Sequence, residues 1–330
     1  MFSRAGRNSA GIAVLLAVVC VLPFVVRPYQ LDFLIFMFIN IILVVSYRLI
    51  AITGEFSLSH AVMMGVGAYA STLLALLPIS PWISMPLGGV AAALIAYILS
   101  FPLFRMKGFY FLIGSFAAAE AIRLCWVQFI NPFGGAHGLR RIPVLEIDLG
   151  DFLYIDLGAP VPYYFFALIA GIIFLVIMYR IEHSRFGFVF HAVHHKDTLA
   201  QSVGVNARRY RTIAFVTGGF FAGIAGAMVV HYVTAINPGL FGLKQMLFVL
   251  VWVLVGGMGS FAGPIIGVAV LSIIDESLRG LDELRPGFYG LVLIATMLFL
   301  PDGLVSLPAK VMQGVNLLKS REAGGVTKRE

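Results

Sequence analysis

Apolar side chains in this chain come in long runs separated by short polar segments, and run length sets the first structural expectation. A helix rises about 1.5 Å per residue, so roughly 20 apolar residues cross a hydrocarbon core of about 30 Å. Ten runs of that order are predicted as helices: Ala10–Val26, Leu31–Ile50, Leu58–Leu77, Trp82–Phe104, Gly108–Ile130, Pro162–Tyr179, Thr212–Ile236, Gln245–Met258, Pro264–Leu278 and Gly287–Leu300. The first and the last three fall short of a full crossing, which fits tilted, broken or neighbour-shielded segments. The pattern predicts an all-α polytopic integral membrane protein with about ten transmembrane or partly spanning helices, built as one domain over residues 1–330. Within it, the first five spans occupy 10–130, a loop 131–161, the last five spans 162–304 with a polar loop at 180–211, and a tail 305–330.

Composition strengthens this picture. The chain is 60% hydrophobic and 12% charged, against a soluble norm of roughly 45–50% apolar and about 25% charged. That balance excludes a water-soluble globular domain, disorder, a disulfide scaffold and a nucleic-acid-binding domain. The formal charge of +7 comes from 23 basic and 16 acidic side chains, the basic ones set mostly between apolar runs. With a cytoplasmic N-terminus, alternation puts Arg105 and Lys107, the Arg180–Arg211 loop and the Lys310–Arg329 tail on the cytoplasmic side. The connection carrying Glu146, Asp148, Asp151 and Asp156, with Arg140 and Arg141, then lies outside, and both termini are cytoplasmic. Arg4 and Arg7 ahead of the first run imitate a secretory signal, but Phe24–Tyr29 offers no small-residue cleavage site, so an uncleaved first helix is expected. Cys20 and Cys125 lie inside apolar runs and read as small buried hydrophobes.

Three stretches carry candidate chemistry. Gly54 to Tyr69 leads glycines, a carboxylate, Ser57, Ser59 and His60 directly into an apolar helix containing Gly65 and Gly67. Free N–H groups at such a helix start favour an anion, serines can cap them, and glycines allow close approach, so the segment reads either as a substrate or gate position or as an ordinary capped, closely packed helix start. Glu120 and Arg123 share a helical face inside the fifth span, as a polar lining of a transport path or as a structural ion pair. The loop His183–Gly204 places Phe186, Val189, Phe190, Val193 and then Leu199 at helical spacing, with Asp197 as a cap for the following piece. A short amphipathic helix at the cytoplasmic surface must bury that face against lipid, its own protein or a partner. His191, His194 and His195 share one face of it, but no cysteine or carboxylate set completes a zinc site, and no metal is expected. Neither a P-loop, a nucleophile elbow nor a metalloprotease helix is present, so the chain is read as a non-enzyme.

Taken together the motifs resemble the M-type permease subunit of branched-chain amino-acid ABC importers, over about residues 30–304. The matches are Gly54, Ser57, Leu58, His60, Ala61, Gly65, Gly67, Ala68 and Tyr69; Gly108-Phe-Tyr-Phe with Ala119–Arg123; Gly134-Gly-x-x-Gly-Leu139; Ser184-Arg-Phe-Gly187; Gly204-Val-Asn206; Phe220–Gly226; Gly256–Ser260 with Gly263-Pro264; and Pro301-x-Gly303. The resemblance implies an inner-membrane subunit paired with a related permease, two ABC ATPases on the cytoplasmic side and an external solute-binding protein. It further implies that this chain binds no cofactor and that ATP is used by the partners. It implies that Gly54, Ser57, Ser59, His60, Gly65, Gly67, Glu120 and Arg123 border the substrate path. Arg185, Phe186, Gly187, Ala192, Asp197, Ala200 and Gly204 would form the coupling helix in an ATPase groove. The cargo implied is a small solute, branched-chain amino acids first, with urea, amides and aromatic acids as alternatives. The sequence departs from the family at Ser59, where a glycine is usual. It departs again at His194-His195-Lys196-Asp197, where acidic residues are frequent, and at Phe188 and His191, where basic ones are. Two other classes are compatible with the composition: a secondary transporter working through Glu120 and Arg123, and a passive urea-type channel. Neither requires an amphipathic cytoplasmic helix.

Overall fold

A computed structural model of the chain describes residues 19–77, 79–148, 154–278, 280, 285–300 and 303–306. It is mostly helical and divides into two compact units, Met1–Leu243 and Lys244–Glu330. The first unit holds α1 (Pro28–Ala51), α2 (His60–Leu76), α3 (Pro81–Leu103), α4 (Phe109–Gln128) and α5 (Pro160–Glu182), then the short α6 (Arg185–His195) and α7 (Asp197–Ser202), then α8 (Ala207–Val233). Helix α9 (Leu243–Gly256) begins at the boundary, and α10 (Ala262–Ser277) and α11 (Arg285–Phe299) follow it in the second unit. Proline opens α1, α3 and α5, at the first helical position where its missing N–H is no loss.

By length and composition, six segments can cross a membrane: Pro28–Ala51, Pro81–Leu103, Phe109–Gln128, Pro160–Glu182, Ala207–Val233 and Pro238–Gly256. Helices α2, α10 and α11 are shorter, at 17, 16 and 15 residues, so the expected ten reaches six by this measure. The first apolar run, Ala10–Val26, and the tail 305–330 lie almost wholly outside the described residues. The cysteine reading needs correction: Cys20 and Cys125 are both free and exposed, Cys125 on the outward face of α4.

Helix α8 forms the centre of the first unit and packs against α1, α2 and α3. Between apolar helices in lipid there is no hydrophobic drive, so association depends on backbones approaching closely enough for dispersion contacts. Gly67 of α2 and Gly223 of α8 make this possible, because a Cβ on Gly67 would collide with the Gly223 backbone. Deeper in polarity, fully buried His231 of α8 lies 2.8 Å from the Ser71 hydroxyl of α2 and 2.7 Å from the Pro143 carbonyl. A carbonyl only accepts, so Nδ1–H donates to Pro143 and Nε2 accepts from Ser71. His231→Ala is expected to lower stability by about 1–3 kcal/mol, through the polar atoms left unsatisfied. Thermal unfolding in detergent would show it.

That bond also anchors the loop that follows α4. Strand β1 (Leu139–Arg140) pairs antiparallel with β4 (Ala235–Ile236), and β2 (Glu146–Asp148) with β3 (Tyr154–Asp156). Ile142 N–H donates to the Thr234 carbonyl at 3.1 Å, and the Trp82 indole N–H donates to the Glu146 carbonyl at 2.8 Å. What composition reads as a plain loop is thus tied to α3 and α8.

Candidate functional site

The polar start of α2 is a packed joint. Ser57 and Ser59 are buried with their hydroxyls 2.8 Å apart, and the Ser57 oxygen accepts from Ser59 N–H at 3.2 Å. Ser59 occupies the N-cap position of α2 without a side-chain cap bond. Leu58 N–H donates to Ser115 of α4 at 2.9 Å. His60 is fully buried, with its ring edge-on to Tyr47 and Nε2 2.9 Å from Ser46 Oγ of α1. Because Ser46 gives its own proton to the Leu43 carbonyl, His60 donates through Nε2, and its buried Nδ1 has no hydrogen-bond partner. Gly65 lies beneath Trp126 and Phe241, in an aromatic cluster where Tyr69 stacks on Trp126 at 4.7 Å. Gly54 stands elsewhere, against His194 of α6.

Glu120 and Arg123 do meet on α4. The Arg123 Nε donates to Glu120 Oε2 at 2.9 Å and a second bond joins Nη2 to Oε1, with both side chains partly exposed. The buried residues of α4, Phe111, Ser115, Ala119 and Trp126, occupy one stripe, and Ile113, Leu124 and Phe129 face outward. An ion pair turned to hydrocarbon is costly, and polar surroundings suit it better.

The polar loop folds as a helix pair. Ser184 caps α6 by accepting from Phe186 N–H at 3.2 Å, and Asn206 caps α8 by accepting from Arg209 N–H at 3.1 Å. Gly187, Phe190 and Val193 turn inward, and Val193 joins Ala200 and Ala207 in a small core covered by Val189 and Val205. Phe186 and Leu199, assigned by spacing to the same buried face, are both exposed, Phe186 in the first turn of α6 and Leu199 beyond the break in the helix at Lys196. Asp197 does not cap α7: the N-cap is Lys196, and the Asp197 carboxylate instead faces Arg211 and Lys107. Arg185, Ala192 and Gly204 are exposed. No group of three or more metal-ligating side chains is found among the described residues.

Beneath this helix pair lie ion pairs that spacing along the chain does not announce. Arg48 of α1 and Glu182 of α5 form a buried two-pronged ion pair, Nε to Oε2 at 2.9 Å and Nη2 to Oε1 at 2.7 Å. Arg211 of α8 lies 3.4 Å from Glu55 and 3.4 Å from Asp197, and Lys107 lies 3.6 Å from Asp197. Burial holds the Glu55 carboxyl above its usual range, against the pull of Arg211. His191 sits lower than its ordinary 6.5, chiefly through burial, with Glu182 opposing and Arg48, His194 and His195 adding to the fall. Burial and then His195 lower His194 likewise. Both imidazoles take up protons more readily once α6 is released, so docking is at full strength above about 6.5 and weakens as pH falls below it. Proteolytic nicking within 180–211 is expected to increase between about pH 7.5 and pH 5.5. Substituting both histidines by Gln should flatten that rise.

The fold defines a polytopic helical membrane protein with a short folded helix pair between two of its spans. Residues 29–301 match the family described as branched-chain amino acid transport system, permease component, and the chain belongs to that family. It is accordingly a multi-pass permease component of branched-chain amino acid ABC transport. It is 25% identical to the high-affinity branched-chain amino acid transport system permease protein LivM of Salmonella typhimurium, over 94% of this chain and 77% of that protein. Against LivM of Escherichia coli the identity is 25% over 86% of this chain and 72% of the relative. The probable branched-chain amino acid transport permease protein LivH of Methanocaldococcus jannaschii is 24% identical over 75% of this chain and 82% of its own length. No solved structure matches at a significant level.

Proposed function

We propose that this chain is one of two related membrane subunits of an importer in the bacterial inner membrane. A single permease domain of about ten spanning or partly spanning helices places both termini in the cytoplasm. Two partner ATPases bind and hydrolyse ATP, and an external solute-binding protein delivers branched-chain amino acids. Helices α6 and α7 are the coupling element seated in an ATPase groove, with Arg185, Phe186, Gly187, Ala192, Asp197, Ala200 and Gly204 as its working residues. The observation that carries this reading is their outward apolar surface: Phe188, Leu199 and Val203 are 72%, 61% and 75% exposed on a segment whose other face is fixed to its own spans. In this reading an ATPase surface covers these side chains.

Glu120 and Arg123 border the path, since their shared face of α4 suits polar surroundings and offers one charge for each end of a zwitterionic amino acid. Ser57, Ser59, His60, Gly65 and Gly67 border it from the neighbouring α2, and Gly54 lies at the α1–α2 connection against α6. On the side opposite the coupling element, an open cleft of about 920 Å³ lined by Trp82, Arg141, Pro143 and Glu146 suits docking of the delivering protein. A mild-detergent pull-down of the tagged chain from native membranes tests the reading. ABC ATPases should be recovered, and should be lost when Phe188 and Leu199 are changed to Ser. Absence of any ATPase from an intact, monodisperse preparation would overturn it.

A further inference from the structure

Two kinds of ionic contact lie under the coupling element, and they differ in geometry. Arg48 and Glu182 are joined by two short, well-formed bonds in a nearly water-free site. The second set alternates in sign, Lys107, Asp197, Arg211, Glu55, and each step is long, at 3.6, 3.4 and 3.4 Å. Arg211 is shared between two carboxylates, and its buried Nε lacks a well-formed hydrogen bond. A guanidinium with five donors is best satisfied by a two-pronged carboxylate contact, which neither Glu55 nor Asp197 supplies here.

The four residues also come from four places: Glu55 from the α1–α2 connection, Lys107 from the α3–α4 connection, Asp197 from α7 and Arg211 from α8. Only Asp197 belongs to the coupling element. Lys107 is largely exposed, so its contact is the weakest of the three. The exchangeable step is therefore Arg211 between its two carboxylates.

We propose that Arg211 is a positioning residue that switches between Asp197 and Glu55, and so passes movement of α6–α7 to the cytoplasmic ends of α2 and α8. This rests on α6–α7 being the ATPase-coupling element. When the ATPases draw α7 away, Arg211 leaves Asp197 and closes fully on Glu55; when α7 returns, Asp197 competes for it again. The tight Arg48–Glu182 pair stays fixed and gives the movement a pivot. Removing either carboxylate should thus bias the equilibrium in opposite directions.

The test uses the complex purified with its ATPases, native cysteines replaced, and spin labels at Thr198 and Arg105, both exposed. Wild type should show a short Thr198–Arg105 separation without nucleotide and a longer one with ATP and vanadate. Asp197→Asn should give the longer separation without nucleotide. Glu55→Gln should keep the shorter one even with ATP and vanadate, and Arg211→Lys should retain part of the response that Arg211→Met loses. If Asp197→Asn and Glu55→Gln shift the separation in the same direction, or neither shifts it while ATPases co-purify, the switch is overturned and the coupling role stands. If the wild-type chain brings down no ATPase, the coupling role itself falls, and the switch with it.

Discussion

Replacing Gly187 by arginine is expected to abolish ATP-driven uptake while leaving the spans folded. Gly187 lies in the first turn of α6, where a Cβ would overlap the backbone carbonyl of Glu182, the last residue of α5. A clash with backbone cannot be relieved by a rotamer change, so α6 must lift off the end of α5. Overpacking of this sort costs about 1–3 kcal/mol or more, and each 1.4 kcal/mol is a tenfold change in the docked population. Since even a methyl group meets the same carbonyl, Gly187→Ala should also lose most uptake, which a charge effect of arginine would not explain. Ala192→Pro should act similarly by removing a hydrogen bond from the middle of α6. Ala192→Ser, which keeps the backbone hydrogen bond, should retain far more uptake than Ala192→Pro. The measurement is substrate uptake into proteoliposomes holding the complete importer. Normal uptake by Gly187→Arg would sink the coupling assignment.

Local pattern made the helices legible, but not the contacts between them. Nine apolar runs fall on helices, because an apolar run withdrawn from water has to satisfy its backbone internally whether or not it is long enough to cross. The spacing of Phe190 and Val193 likewise announced the inner face of α6, since both lie within one continuous helix. The same spacing misassigned Leu199, because helical periodicity carries no information past the break at Lys196, and it misassigned Phe186, which lies within α6 but in its exposed first turn. Glu120 and Arg123 were readable as a pair because they are one turn apart. Arg48 was not: it sits near the end of an apolar run, and its partner Glu182 is 134 positions away. The chain from Lys107 to Glu55 and the His231–Ser71 bond, 160 positions apart, were hidden for the same reason. In each case the chemistry belongs to a crossing of helices, which one segment of sequence does not encode by itself.

The Arg48–Glu182 pair should give the largest stability effect in the molecule. Arg48 is 1% exposed and Glu182 7%, and both prongs of the guanidinium are engaged at 2.7 and 2.9 Å. Arg48→Met keeps much of the side-chain volume but leaves a buried carboxylate facing a thioether, a change that costs about 3–5 kcal/mol. The double variant Arg48→Met, Glu182→Leu removes both charges together and should recover most of that loss, because a packed apolar pair is often as stable as a buried ion pair. Thermal unfolding in one detergent, with the four members of the cycle compared, yields the coupling between the residues directly. A single variant that unfolds like wild type would show that the pair contributes nothing measurable. Recovery in the double variant also separates two roles, because α6 rests on the very turn that carries Glu182. If the pair only joins α1 to α5, the stable double variant transports normally. If the ion pair keeps the end of α5 rigid beneath the coupling helix, stability returns and ATP-driven uptake remains reduced. The second outcome is the one expected, since a leucine–methionine contact fills the space without fixing the direction in which α5 ends.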